Sequence, residues 1–265
     1  MRKLIATTLC LALLLGSALA QDTGKKVEKE TDQKAAVQKL TDPVEILKKA
    51  DAACQPVKAV KFEITLEPEG GMTRIFPKLE GTVIGTDATR ESGGLTVKKY
   101  VSDLKYTMPN ASEPRHIVGG SDGENYYLID HGAKKAYVDI DPAVLGIAGR
   151  ILPAAMMIEY LIDQPFNDEI TGNEQKLIGT KTIAGEECYE IHVVYATQGA
   201  PNATWYFSTK DFLPRCRVDE YTLQDGSTGK VTKTIKKLEV NPKLDENTFK
   251  LKLPEGYTQT DDFAP

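Results

Sequence analysis

The sequence predicts a mainly β protein of the α+β class, built on a curled antiparallel sheet or incomplete β-barrel of about eleven short strands, with an N-terminal helix and a helical lid. Three observations predict it. From Val57 onward apolar and polar residues alternate at period two, glycine-bearing turns separate these runs, and a strongly apolar stretch from Asp141 to Asp163 interrupts them. No strand–helix alternation supports a parallel α/β sheet. With 41% hydrophobic and 27% charged residues, the composition excludes collagen-like, coiled-coil and wholly disordered chains.

The first twenty residues carry a basic start (Arg2, Lys3), an apolar run from Leu4 to Leu15 and Ala18-Leu19-Ala20 before Gln21. This is the layout of a secretory signal peptide cleaved near Ala20, because the apolar run falls short of the ~20 residues that span a bilayer. A periplasmic or secreted protein that does not span the membrane is the expectation. Cys10 lies inside the apolar run rather than after the cleavage site, so no lipid-modified N-terminal cysteine is expected. The chain holds 33 Lys and Arg against 38 Asp and Glu, and loss of Arg2 and Lys3 makes the mature chain more acidic still. Nucleic acid is therefore excluded as a partner, since phosphate binding needs clustered cations.

Residues 21–40 form a polar, charge-rich tail with little to bury. A single domain is expected over 41–258, with a short tail at 259–265. The domain opens on a helix: Asp42 caps it, Pro43 takes its first position, and Glu45 follows three residues after the cap. Val44, Ile46, Leu47, Ala50 and Ala53 repeat at helical spacing until Pro56 ends the run. Val60, Phe62, Ile64 and Leu66 then alternate with Lys61, Glu63, Thr65 and Glu67, a half-buried strand. Further strands are expected at 79–86, 96–107, 116–119, 125–129, 135–140, 175–183, 187–196, 204–207, 215–223 and 230–240. Turn chemistry lies between them at Gly70-Gly71, Ser92-Gly93-Gly94, Asp122-Gly123, Ala184-Gly185 and Asp225-Gly226. In the apolar stretch, Gly146, Gly149 and Pro153 predict two short helical pieces with a bend. It is too apolar for a solvated surface, so covering the concave face of the sheet satisfies both.

The chain has no P-loop lysine motif and no H-E-x-x-H, and no enzyme activity, cofactor or metal is expected. His116, His131 and His192 lie far apart without ligand spacing and are assigned to surface or strand pairing. Gly119-Gly120-Ser121-Asp122-Gly123 precedes a strand rather than a helix, so its glycines are assigned to a tight turn instead of a phosphate loop. Cys54, Cys188 and Cys216 read as buried small apolar residues, with one disulfide plus one thiol and three thiols both open. What remains is a lining: Phe62, Ile64, Trp205 and Phe207 from the sheet, with Ile147, Ile151, Leu152, Met156 and Met157 from the insert, either enclose an apolar hollow or fill a solid core.

Three segments carry a family resemblance. Ile117 to Asp130 has a "DG, aromatic, aromatic, Asp" hairpin, Thr204 to Arg215 a strand followed by a Leu213-Pro214-Arg215 turn similar to LPxR, and Phe249 to Tyr257 a closing F-x-x-x-x-P-x-G. In order and spacing they resemble the periplasmic lipoprotein-carrier (LolA/LolB-like) superfamily of outer-membrane lipoprotein sorting. The resemblance implies an incomplete barrel whose concave side is lidded by helices, and an apolar cavity for acyl chains. It also implies an arginine that latches the lid, for which Arg74 and Arg150 are the candidates. A non-catalytic carrier of a lipid, acyl chain or lipoprotein follows as the expected function. The alternative is an envelope sensor or scaffold of the same fold acting on another envelope protein.

Overall fold

The computed structural model describes residues 40–91, 94–146 and 148–260. The expected signal peptide, the polar tail up to Lys39, the Ser92-Gly93 corner, Ile147 and the last five residues lie outside the described residues.

Helix α1 (Pro43–Cys54) starts as expected, with the Asp42 carboxylate accepting the Val44 N–H at 2.9 Å. It buries Ile46, Leu47, Ala50 and Cys54 against the sheet. Twelve strands follow: β1 (Ala59–Gly70), β2 (Lys78–Glu91), β3 (Gly94–Thr107), β4 (Arg115–Asp122), β5 (Tyr126–Asp130), β6 (Lys135–Asp139), β7 (Glu174–Ile183), β8 (Glu186–Val194), β9 (Asn202–Ser208), β10 (Pro214–Thr222), β11 (Thr228–Val240) and β12 (Thr258–Thr260). They make one open, curled sheet in the order β12-β6-β5-β4-β3-β2-β1-β11-β10-β9-β8-β7. Two antiparallel meanders, β1–β6 and β7–β11, are joined where β1 pairs with β11. The period-two pattern accounts for the core: Val60, Phe62, Ile64 and Leu66 point to one face of β1 and are buried, while their neighbours stay partly wet.

Three features differ from expectation. Strand β12 pairs in parallel with β6 through Thr258 opposite Lys135 and Thr260 opposite Tyr137, and so takes in residues expected to begin the C-terminal tail. Main-chain pairing holds it, and no apolar alternation announces it. Second, the strand expected at 116–119 runs on as β4 to Asp122, through Gly120, which is expected in the turn. A Cβ on Gly119 would lie 2.4 Å from Leu152 Cδ1, and one on Gly120 would lie 2.4 Å from the Tyr127 ring, so both glycines serve close packing inside the strand. The turn itself sits at Gly123, at φ +100°, where the Asp122 carboxylate accepts the N–H groups of Glu124 and Asn125.

Third, the insert is more fragmented than two pieces. A 3-10 turn at Pro142–Leu145 is capped by Asp141, helix α2 (Ala148–Ala155) follows, then a 3-10 turn at Ile158–Tyr160, and then α3 (Asn167–Ile170). Gly146 at φ +51° separates the first two pieces, and Pro153 limits α2 to eight residues. The three described cysteines are free and buried. Cys188 and Cys216 flank β9 with Tyr206 on the face opposite the main core, and burial pushes their thiols up to about 12 and about 11.

Candidate functional site

The insert crosses the concave face of the sheet and meets its two meanders differently. Over the first meander, the Pro142–Leu145 turn and α2 leave a hollow of about 620 Å³. Its floor comes from Val97 and Tyr100 of β3 and Tyr126 of β5; Leu145, Leu152, Pro153, Met156 and Ile158 cover it. The volume lies within the ~300–1,000 Å³ of ordinary ligand pockets. Gly85 of β2 gives the cover room: a Cβ there would come within 3.4 Å of Met156 Cε and 3.2 Å of Leu161 Cδ1. Tyr100 is buried in this wall, which raises its phenol above the usual range and keeps it a neutral hydrogen-bonding group.

Over the second meander the interior is filled. Phe166 packs edge-on against Trp205 and Phe207 at 5.2 and 5.0 Å between ring centres, and Phe62 lies 5.9 Å from Tyr160. The Tyr160 hydroxyl donates to the Pro214 carbonyl. Glu169 of α3 is buried yet held: the Tyr195 hydroxyl donates to it at 2.6 Å, and Trp205 Nε1 donates to that hydroxyl at 3.1 Å. Burial raises the Glu169 carboxyl above its ordinary range, with the Tyr195 bond pulling the other way.

Between these regions runs a short strap, Met156 to Glu159. One side lines the hollow through Met156 and Ile158; the other meets two cations of the sheet. Lys233 Nζ donates to the Met156 carbonyl at 2.7 Å, and Arg217 lies 3.4 Å from Glu159 Oε1 and 2.7 Å from Asp219 Oδ1. The Arg217 guanidinium also sits over the Trp205 ring, 4.8 Å from its centre. Burial pulls the Lys233 ammonium below its usual range.

Of the expected lining residues, Leu152 and Met156 border the hollow. Phe62, Ile64, Trp205, Phe207, Ile151 and Met157 are packed in the core, none more than 3% exposed. Ile147 lies outside the described residues. Arg74 bonds Asp225 and Ser227 at the β10–β11 hairpin, far in the chain from the insert, and Arg150 is an exposed residue of α2; the cations that reach the strap are Arg217 and Lys233. Sequence reasoning missed both, although Lys233 occupies the inward position of Val231-x-Lys233-x-Ile235, a charge where alternation calls for an apolar side chain. It also missed Val97, Tyr100 and Tyr126. His116 and His131 are strand-pairing residues as expected: β4–β5 pairing brings their rings into a stack, 3.9 Å between ring centres. Among the described residues no group of three or more His, Cys, Asp and Glu side chains is arranged for a metal ion, and no helix is long and apolar enough to cross a membrane.

Residues 143–261 match the model of a family described as "Predicted periplasmic protein (DUF2092)", a description that agrees with the location expected from residues 1–20. No curated protein matches the sequence. Among solved structures, the chain is similar to MucB at 13% identity and TM-score 0.44, covering 80% of this chain and 63% of that one. The chain thus spans less than two thirds of MucB. It is similar to LprF from Mycobacterium bovis at 13% identity and TM-score 0.45, covering 82% and 99%, and to a LolA superfamily protein from Nitrosomonas europaea at 10% identity and TM-score 0.29, covering 80% and 99%.

Proposed function

We propose that the protein is a periplasmic binding or carrier protein that holds a lipid or acyl chain, without covalent chemistry, in the hollow beneath the Pro142–Leu145 turn and α2. The observation that carries this is the hollow itself: about 620 Å³, floored by Val97, Tyr100 and Tyr126 and roofed by Leu152, Pro153 and Met156. An acyl chain entering it gains ~0.8 kcal/mol per methylene removed from water, and a methionine in the roof adapts to chains of varied shape. The roof is built of short pieces, with Gly146 between the first two and Pro153 inside α2. Delipidated protein is expected to take up a fluorescent fatty acid saturably, and Met156→Asp to weaken uptake at least about tenfold, since the new carboxylate must be desolvated by the chain. Absence of saturable uptake contradicts the proposal.

The filled region around Trp205 favours a second use of the same fold, as an envelope regulatory or scaffold module acting through its outer face. Recovery of a stable protein partner by a chain that takes up no lipid would select it.

A further inference from the structure

One cross-strand row runs over the core face of the sheet through Ile191, Trp205, Arg217, Lys233, Leu66 and Leu79, each directly opposite the next. Every member is apolar except the central two. Two cations directly opposed on an inward face repel one another, and each must be desolvated, so this arrangement costs stability wherever packing alone is at stake. The structure offsets that cost with acceptors from two places. Asp219, on the same face of β10, bonds Arg217; the strap supplies the Met156 carbonyl to Lys233 and the Glu159 carboxylate to Arg217. The strap is also one wall of the hollow, so the cations and the acyl site lie on opposite sides of a single stretch of chain.

We propose that Arg217 and Lys233 form a seat for the anionic headgroup of the bound amphiphile, a carboxylate or phosphate, and that Glu159 and the Met156 carbonyl occupy that seat in the empty protein. This rests on the acyl-chain site proposed above and adds the chemistry of the ligand's other end. When the strap lifts, Glu159 leaves with it, and the two cations face only Asp219 from the sheet. An anion then replaces Glu159, while the alkyl chain extends into the hollow past Met156 and Ile158. The headgroup restores the charge balance that the strap provides in its absence, and loading and strap closure compete for the same two side chains. A neutral amphiphile fills the hollow without displacing Glu159.

The test measures binding of palmitate, hexadecanol and inorganic phosphate to the delipidated full chain by calorimetry. Wild type, Lys233→Met and Glu159→Gln are compared, with folding of each checked by circular dichroism and thermal melting. Wild type should bind palmitate about tenfold or more tighter than hexadecanol. Lys233→Met, which keeps the stem and removes the charge, should erase that preference while hexadecanol affinity stays level. Glu159→Gln should strengthen palmitate several-fold and leave hexadecanol unchanged, a result that a merely structural ion pair does not give. Equal affinity for the acid and the alcohol in wild type, or a preference that survives Lys233→Met, overturns the headgroup seat while leaving the acyl site standing. Uptake of neither amphiphile overturns the acyl site itself. Phosphate alone binding as tightly as palmitate overturns the amphiphile assignment in favour of a free-anion site.

Discussion

Beneath one continuous insert, the first meander keeps a hollow and the second does not. Over β3 to β5 the insert contributes Leu145, Leu152, Pro153 and Met156, aliphatic or compact side chains that border the hollow beside Tyr100 and Tyr126. Over β1 and β8 to β10, Tyr160 of the insert and Phe166 just beyond it are rings packed against Phe62, Trp205 and Phe207, and the space is filled. The difference teaches that a curled sheet under a cover does not by itself make a cavity. Ring-bearing cover over ring-bearing strand fills, and an aliphatic cover over a ring-bearing floor leaves space.

The comparison can be broken most forcefully at Trp205. Trp205→Ala removes the centre of the filled region and should cost about 3–5 kcal/mol of stability, read as a drop in chemical-denaturation midpoint. If the variant instead stays stable and loses lipid uptake, the roles of the two regions are reversed. At Gly119 the expected effect is smaller, about 1–3 kcal/mol for Gly119→Ala, because the new methyl meets the buried Leu152 side chain at 2.4 Å and must displace it. Since Leu152 roofs the hollow, the same variant should change probe affinity; unchanged uptake would separate α2 from the site.

Glu169→Gln sharpens the filled side. The folded carboxyl is raised above its unfolded value, so its favourable contribution is present below pH ~4.5 and lost as pH rises through the folded value, leaving a desolvation cost at neutral pH. The glutamine should therefore melt higher than wild type at pH 7.5, by an amount that shrinks on acidification; a lower melting point at pH 7.5 would show that the charge is net stabilising.

The smallest effect belongs to the far edge of the first meander. Burial, and next the facing His116 ring, hold His131 below its ordinary range; Asp103 and Asp130 oppose this, and Tyr257 bonds its Nδ1. A depressed histidine contributes stability above pH ~6.5 that is lost as pH falls below it. The protection factors at Thr258–Thr260, with the intrinsic pH dependence of amide exchange divided out, should fall on acidification in wild type and much less in His131→Gln; an equal fall in both would remove His131 as the cause.

Much of the architecture could be read from the chain because its signals are local. The Asp42–Pro43 cap, the alternation of Val60 to Leu66 and the hairpin glycines each act within a few residues, and the structure places the helix and eleven strands where they lie. What escaped depends on distant partners. Gly119 is a glycine because Leu152 needs its space, and β12 exists because β6 offers a free edge. Site residues divided the same way. Periodicity identified Trp205 and Phe207 as inward-facing, but whether an inward residue lines a hollow or fills it is set by what the insert places opposite, and α3 with Phe166 was not foreseen. Lys233 was visible as a lysine at an inward step of β11; its significance needed the register that sets it beside Arg217.

The hollow beside the strap is expected to carry an acyl chain. Native mass spectrometry of the protein purified from its own host, before and after delipidation, tests it most directly. A discrete lipid mass should accompany the folded chain, disappear on delipidation, and be missing from Met156→Asp prepared the same way. A folded wild-type chain that flies at its bare polypeptide mass, and gains none on incubation with fatty acid, would contradict it.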